Sequence, residues 1–400
     1  MADHTPTGPL QVLVLNQISA TSLERLPVGR YNVGKEVAAP VAVLVRSADM
    51  FGIDIPASVQ AIARAGAGTN NIPVPAMSAR GIPVFNAPGA NANAVKELVL
   101  AGMLMAARNL APALRFVSSL DAQMPDMEKA VEDGKKNFAG FELAGHTLGI
   151  VGLGKIGCLV ADAAIKLGMH VLGYDPDITV DAAWSLPAQV RKAASVAEVL
   201  KNAHFISLHV PLVPATQDLV HADNIALARA GAVLLNFSRA GVVNEAAVLA
   251  SLNARHLAWY VCDFPGPAIN GHDRVVALPH LGASTREAEE NCAIMVVDQL
   301  RDYLENGNIA NAVNFPPVAM GRESAYRVAI ANANVPNMLG QISTAMARGN
   351  LNIHNMVNKS RGDMAYTLVD VDSPVQEEVL AEIRSIAGVL AVRYLPRHEG

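Results

Sequence analysis

Cysteine is scarce in this 400-residue chain, with three residues far apart at Cys158, Cys262 and Cys292. That excludes a disulfide framework and a cysteine-built zinc site, and no other metal-ligand spacing takes their place. It fits a reducing compartment. Aromatic residues make up 4% of the chain, so alanine and aliphatic side chains must fill the core. Parallel strands buried on both faces have that composition. Clustered positive charge is missing as well. The formal net charge is -5 and no basic run occurs, so nothing calls for a nucleic-acid partner. The N-terminal MADHTPTGPLQ has no basic region leading into an apolar stretch, as a secretory leader would. The most apolar helical stretch, ELVLAGMLMAARNL, is bounded by Glu97 and Arg108. Its uncharged centre of about ten residues is too short for a bilayer. The expectation is a cytoplasmic globular protein without a membrane partner.

What is present is a 51% apolar chain long enough for two or three domains. QVLVLN, VAVLVRS and GIPVFNAP read as buried strands, and IPASVQAIARAG between them reads as a helix. A second βαβ series runs through HTLGIVGLGKIG, HVLGYD, AHFISLHVP, GAVLLNFSR, AWYVCDF and VVALPH. The following helix, STREAEENCAIMVVDQLRDYLENG, opens with Ser284 and Glu287 at capping-box spacing. From about residue 322 the order changes to strand, helix, two strands, helix, strand, the ferredoxin-like pattern. The fold class is therefore α/β, with two Rossmann-like doubly wound domains and a C-terminal βαββαβ unit. Residues 96–282 read as one domain inserted between two parts of another, 1–95 and 283–320. Residues 322–400 form the terminal unit.

TLGIVGLGKIG carries Gly152, Gly154 and Gly157 as G-x-G-x-x-G. Alone the motif is weak. Here an apolar strand precedes it, an amphipathic helix follows, and a second strand ends in Asp175, about 20 residues on. Gly152 permits a tight turn. Gly154 lets the backbone approach a pyrophosphate at the helix N-terminus, and Gly157 lets helix and strand pack closely. Asp175 can accept from both ribose hydroxyls and repels a 2′-phosphate, which favours NAD over NADP.

A bound nicotinamide implies hydride transfer, and hydride transfer from an alcohol requires a proton acceptor. Histidine suits that step near neutral pH. His209 in SLHVPL and His280 in ALPHLGAST each follow an apolar strand, where open α/β sheets bind ligands. Each could equally be an ordinary loop histidine. Arg239 in NFSRAGVV also stands at a strand end. Its planar guanidinium can hold a carboxylate in a fork, or join a structural ion pair.

GHTLGIVGLGKIG, GYDP, HVPLVPAT, LLNFSRAGVVNEAAV and LPHLGASTREAEENCA together resemble the D-isomer-specific 2-hydroxyacid dehydrogenases. LVRSADM, AGAGTNNI and FNAPGANANAVKELV resemble the branch that oxidises 3-phosphoglycerate. The resemblance implies NAD-linked conversion of 3-phosphoglycerate to 3-phosphohydroxypyruvate, in a cleft between a substrate-binding domain and the nucleotide domain. It implies Arg239 as the substrate-carboxylate ligand and His280 as the general acid/base. It implies cofactor contacts at Gly152, Gly154, Lys155, Ile156, Gly157, Asp175, His209, Val210, Pro211, Asp263 and Gly282. Arg46, Ser47, Asn70, Asn71 and Asn91 would meet the substrate. The terminal unit resembles an ACT regulatory domain, in which Asn334 and Asn352 would contact serine. A purely structural, dimerising role is the alternative. A homodimer or homotetramer is implied. The runner-up activity is a hydroxypyruvate or glyoxylate reductase, and a non-catalytic NAD-sensing scaffold is a third reading.

The chain departs from the family at four positions. Asn93 stands where many relatives carry an arginine, and Asn337 where they have glycine. Asn332 stands for a histidine of some serine sites. Pro267 occupies the place of the glutamate that orients the catalytic histidine. Two alternatives follow: Asp263 takes over that carboxylate's task, or His280 works alone.

Overall fold

The computed structural model describes residues 8–397; residues 1–7, part of the stretch read for a leader, and 398–400 lie outside it. The chain forms two compact units. One runs to Asn91 and resumes at Glu289, and the other is Ala92–Ala288.

In the first unit, strands β1 (Leu10–Leu15), β2 (Tyr31–Gly34), β3 (Ala42–Val45), β4 (Ala61–Arg64) and β5 (Val84–Phe85) form a parallel sheet of order 2-1-3-4-5. That is the flavodoxin-like winding. β4 lies inside IPASVQAIARAG, which the sequence reading made a helix, and the difference has a physical cause. Ala61, Ile62 and Ala63 are fully buried and pair with β3 on one side and β5 on the other. Alanine's helix preference is a few tenths of a kcal/mol, about the weakest force present, and two-sided pairing overrides it. β2 was not anticipated either. It is a short edge strand paired with β1.

In the second unit, β6 (Thr147–Val151), β7 (His170–Tyr174), β8 (Arg191–Lys192), β9 (Phe205–Leu208), β10 (Ala232–Asn236), β11 (Leu257–Cys262) and β12 (Val275–Ala277) form a seven-stranded parallel sheet. Its order, 12-11-10-9-6-7-8, reverses direction between β6 and β9. This is the Rossmann winding, with the ligand crevice expected at that switch point. β9 and β10 are buried at every residue, which is why they read as continuous apolar runs.

The helix Arg286–Asn306 begins one residue later than the capping-box reading requires. Thr285 Oγ1, not the Ser284 hydroxyl, accepts the Ala288 N–H at 3.1 Å. Ser284 Oγ instead points back to the His280 carbonyl at 3.4 Å. Among the described residues no single helix is long and apolar enough to cross a membrane. The helices Ala92–Ala107 and Leu110–Ser119 pass that test only as a pair, and they meet at a 66° bend.

The terminal strands β13 (Tyr326–Ala333), β14 (Ile353–Arg361), β15 (Met364–Val371) and β16 (Val389–Pro396) form an antiparallel sheet of order 14-15-13-16. Two helices, Met338–Arg348 and Glu377–Ser385, complete the expected βαββαβ order. One sheet face packs on those helices through Val328, Ile330, Ile342, Val369 and Ile383. The opposite face, with Ala329, Ala331, Tyr366 and Leu368, enters the core of the five-stranded lobe beside Phe85, Tyr303 and Phe315. The terminal strands therefore share an interior with the lobe of β1–β5.

A buried ion pair ties this junction. Arg327 and Asp370 are both fully buried and meet through two bonds, Nε–Oδ1 at 2.6 Å and Nη2–Oδ2 at 2.8 Å. The remaining guanidinium protons go to the carbonyls of Asn306, Met320 and Gly321 at 2.8–3.0 Å. Removing one partner strands a buried charge. Asp370→Ala should destabilise the protein by about 3–5 kcal/mol, read as a lower urea midpoint. A change below the error of the measurement would show that the pair carries no stability.

Candidate active site

The chemistry-bearing residues of the second unit stand at strand carboxyl ends. Gly152 follows β6 with φ +94°, and a side chain there would collide with the His209 carbonyl. A Cβ at Gly157 would run into the Gly152 carbonyl, whereas the space above Gly154 is open. Gly154 is the N-cap of the helix Lys155–Lys166, and no side chain satisfies the first N–H groups. The result is a backbone cradle at a positive helix end, shaped for a pyrophosphate. Lys155 and Ile156 form the first turn of that helix. Asp175, just past β7, receives the Leu153 N–H at 2.8 Å and the Asp177 N–H at 3.0 Å. Its carboxylate thereby tightens the glycine turn and stays beside the cradle at the end of β7.

His209 lies beyond β9, followed by Val210 and Pro211. Its Nε2 meets Ser207 Oγ at 2.9 Å, while Nδ1 is buried without a partner. Burial pushes this imidazole down to about 4. It is neutral at pH 7, which suits a wall of the nucleotide site and does not suit a base working near neutrality.

Beyond β10, the buried Asn236 organises the turn that carries Arg239. Its Oδ1 accepts from the Ser238 hydroxyl at 2.8 Å, and its Nδ2 donates to the Arg239 carbonyl at 2.9 Å. Arg239 is exposed and donates to the Ser238 carbonyl at 2.6 Å. Among the described residues it has no carboxylate partner, so the structural ion pair weighed above is not what holds it.

Beyond β11 stands Asp263, 1% exposed. Its two carboxylate oxygens accept the N–H groups of Leu281 at 2.7 Å and Gly282 at 2.8 Å, and its carbonyl accepts the His280 N–H at 3.1 Å. The carboxylate thus grips the backbone of the loop that carries His280. His280 itself is exposed and left-handed, with φ +56°. Its ring packs on Phe264, with centroids 4.5 Å apart. The Arg239 guanidinium lies over the same ring at 5.7 Å. Glu245 steadies the following loop by accepting the Gly266 N–H at 2.7 Å.

In the first unit, Arg46 follows β3 and pairs with Glu289. The Ser47 and Ala48 N–H groups donate to Asn16 Oδ1. Asn70 is exposed and Asn91 half-buried. Asn71 is occupied structurally: Nδ2 donates to the Ala48 carbonyl at 2.7 Å and Oδ1 accepts from Arg64 Nε at 3.0 Å. Arg64, the last residue of β4, was missed because its strand was read as a helix. Its charge and that of Arg46 both act against the burial that raises the Cys292 thiol. Phe264 and Asn236 were also missed; neither carries a charge, and only position marks them, Asn236 as the last residue of β10 and Phe264 just beyond β11.

The family model described as D-isomer specific 2-hydroxyacid dehydrogenase, NAD binding domain, matches residues 100–282. The D-3-phosphoglycerate dehydrogenase of Escherichia coli strain K12 is 33% identical over 344 residues, covering 82% of this chain and 79% of that protein. That of Saccharomyces cerevisiae is 30% identical, covering 82% and 72%. A solved structure of a Thermus thermophilus protein aligns with a TM-score of 0.59 at 27% identity, covering 76% of this chain and all of that one. NAD-bound 3-phosphoglycerate dehydrogenase from Entamoeba histolytica shares the fold at the same TM-score and 24% identity, covering 76% of this chain and 98% of that one. The chain belongs to the D-isomer-specific 2-hydroxyacid dehydrogenase family, and its glycine cradle, uncapped helix and Asp175 fit the NAD that this family binds. Its curated relatives named here are D-3-phosphoglycerate dehydrogenases.

Because His209 is neutral in the fold and ordinary when unfolded, unfolding takes up a proton between its unfolded value of 6.5 and about 4. Its contribution to stability is complete above that window and is lost as pH falls through it, by up to about 3 kcal/mol. In His209→Asn the loss of stability between pH 6.5 and 4.5 should be smaller than in wild type by urea denaturation. Equal losses would show that His209 titrates normally in the fold.

Proposed function

We propose that this protein oxidises 3-phosphoglycerate to 3-phosphohydroxypyruvate with NAD and so feeds serine synthesis. The observation that carries the reading is the shared aromatic contact of Arg239 and His280. It puts a cation without a carboxylate partner beside a proton carrier, in the unit that holds the dinucleotide cradle. The guanidinium takes the substrate carboxylate in a two-pronged bond and fixes the face of the carbinol carbon. Neutral His280 accepts the hydroxyl proton as the C–H bond breaks, and the ketone forms. NAD, when bound, supplies the acceptor for the hydride. In the reverse direction His280 returns the proton.

Arg46 and Arg64, at the ends of β3 and β4, are the cations proposed for the phosphate, with Ser47, Asn70 and Asn91 as neighbouring donors; Asn71, whose Nδ2 donates to the Arg46 and Ala48 carbonyls, holds the loop instead. At the terminal unit, serine is proposed at Asn334 and Asn352. Both are exposed, and their local bonds run to the Gly362 carbonyl and from the Asn352 N–H to Asp372 Oδ1. A homodimer or homotetramer is proposed. Leu114 and Val117, 64% and 46% exposed on the helix Leu110–Ser119, support a covered apolar face there.

NADH formation tests the reading. The value of kcat/KM for 3-phosphoglycerate should exceed that for unphosphorylated 2-hydroxy acids by about tenfold or more, through the charged phosphate contacts. No NADH from 3-phosphoglycerate, with turnover of another acid, would replace it with the reductase reading. His280→Ala should lose about 10²–10⁴-fold in kcat. Arg239→Lys should lose most of kcat/KM, because an ammonium cannot reproduce the fork. Near-normal rates in either variant would remove that residue's role.

A further inference from the structure

We infer that Phe264 is the positioning residue that sets the His280 imidazole, in place of the carboxylate that most relatives use. The inference rests on the proposed acid/base role of His280.

The two alternatives drawn from the sequence were a carboxylate supplied by Asp263 and a histidine acting alone. The geometry fits a third arrangement. Both oxygens of Asp263 are engaged by the Leu281 and Gly282 N–H groups. Among the described residues His280 has no ion pair. Its backbone is nevertheless fixed in a left-handed conformation that costs a non-glycine residue about 1 kcal/mol or more. The N–H bond to the Asp263 carbonyl and the carboxylate grip on the next two residues hold it there. With the backbone set, the Phe264 ring, 4.5 Å away between centroids and tilted by 48°, is the aromatic contact that bears on the direction of the imidazole.

Phe264 is placed for this by the same residue. It follows Asp263 directly, so the end of β11 carries both the grip on the His280 backbone and the platform for its ring. The loop beyond is held by Glu245 through the Gly266 N–H. The platform also serves Arg239, whose guanidinium carbon lies 5.7 Å from the ring centroid. The face of a benzene ring carries partial negative charge and attracts cations. One ring therefore fixes the proton carrier and the carboxylate clamp relative to each other. Phenylalanine has no proton of its own, so it aligns the imidazole without adding a second titrating group to the reaction.

The test compares full-length Phe264→Leu and Phe264→Tyr. Leucine fills much of the volume without a π-face, and tyrosine keeps the face. Phe264→Leu should lower kcat with 3-phosphoglycerate on the order of tenfold or more, as misplacement of a catalytic group does. The KM for NAD should stay within about twofold, since no cradle contact changes. Phe264→Tyr should keep kcat within about twofold of wild type. Wild-type kcat in the leucine variant, or equal loss in both variants with a matching fall in Tm, would overturn the inference and leave Phe264 as packing alone. A spectroscopic reading does not depend on turnover or on the Phe264 variants folding. The imidazole C–H resonances of His280, assigned by their loss in His280→Gln, should lie upfield in the wild-type protein from the ring current of Phe264. Resonances at ordinary histidine positions would equally overturn it. If His280→Gln keeps its activity, the acid/base reading fails instead, whatever the ring current shows.

Discussion

The carboxylate of Asp263 is the constraint on which the reactive end of the second unit depends. A buried charge needs bonds to both oxygens, and here they come from two consecutive N–H groups on a neighbouring loop. The loop after β12 has no regular structure of its own at that point, so the grip gives it a single conformation. From that conformation follow the positive φ of His280 and the close approach of Gly282, where an added Cβ would press on the carboxylate. A residue that looked from the sequence like a substitute for the absent glutamate anchors the backbone of the loop that carries His280.

Parallel sheets place every strand's carboxyl end on the same side, and the residues just past those ends converge. That rule made the placement of the candidate residues legible in the sequence. Gly152, Asp175, His209, Arg239, Asp263 and His280 each follow an apolar run that the sequence shows plainly. Six of the seven strands of the large sheet and the terminal βαββαβ order follow from the same alternation; β8, two exposed basic residues at the sheet edge, carries no such signal. Less visible were features without a periodic signal. β4 is built from Ala61, Ile62, Ala63 and Arg64, which satisfy a helix and a strand equally well until the neighbours on each side are known. With that strand misread, Arg64 was lost from the list of cations. Ser284 and Thr285 are both good caps, and only the path of the chain decides between them.

Phe264 shows a different limit. Sequence patterns report groups that carry protons, charges or metals, and phenylalanine carries none of these. The absent glutamate directed attention to carboxylates, and the nearest one was already committed to backbone. An apolar face can direct an imidazole through shape and quadrupole alone, at the cost of losing the electrostatic support that a carboxylate gives an imidazolium. Here the Arg239 guanidinium lies over the same ring, so one aromatic side chain meets both residues.

The terminal sheet carries a last consequence. Ala329, Ala331, Tyr366 and Leu368 are interior residues of the lobe built on β1–β5, and the Tyr366 hydroxyl donates to the Gly307 carbonyl from within it. Modules that evolution shuffles between proteins attach through linkers and keep their interiors to themselves. This one has given up that independence. Its loss by a frameshift or a premature stop would leave Phe85, Tyr303 and Phe315 facing water, so the tail cannot be shed without remodelling the lobe from inside.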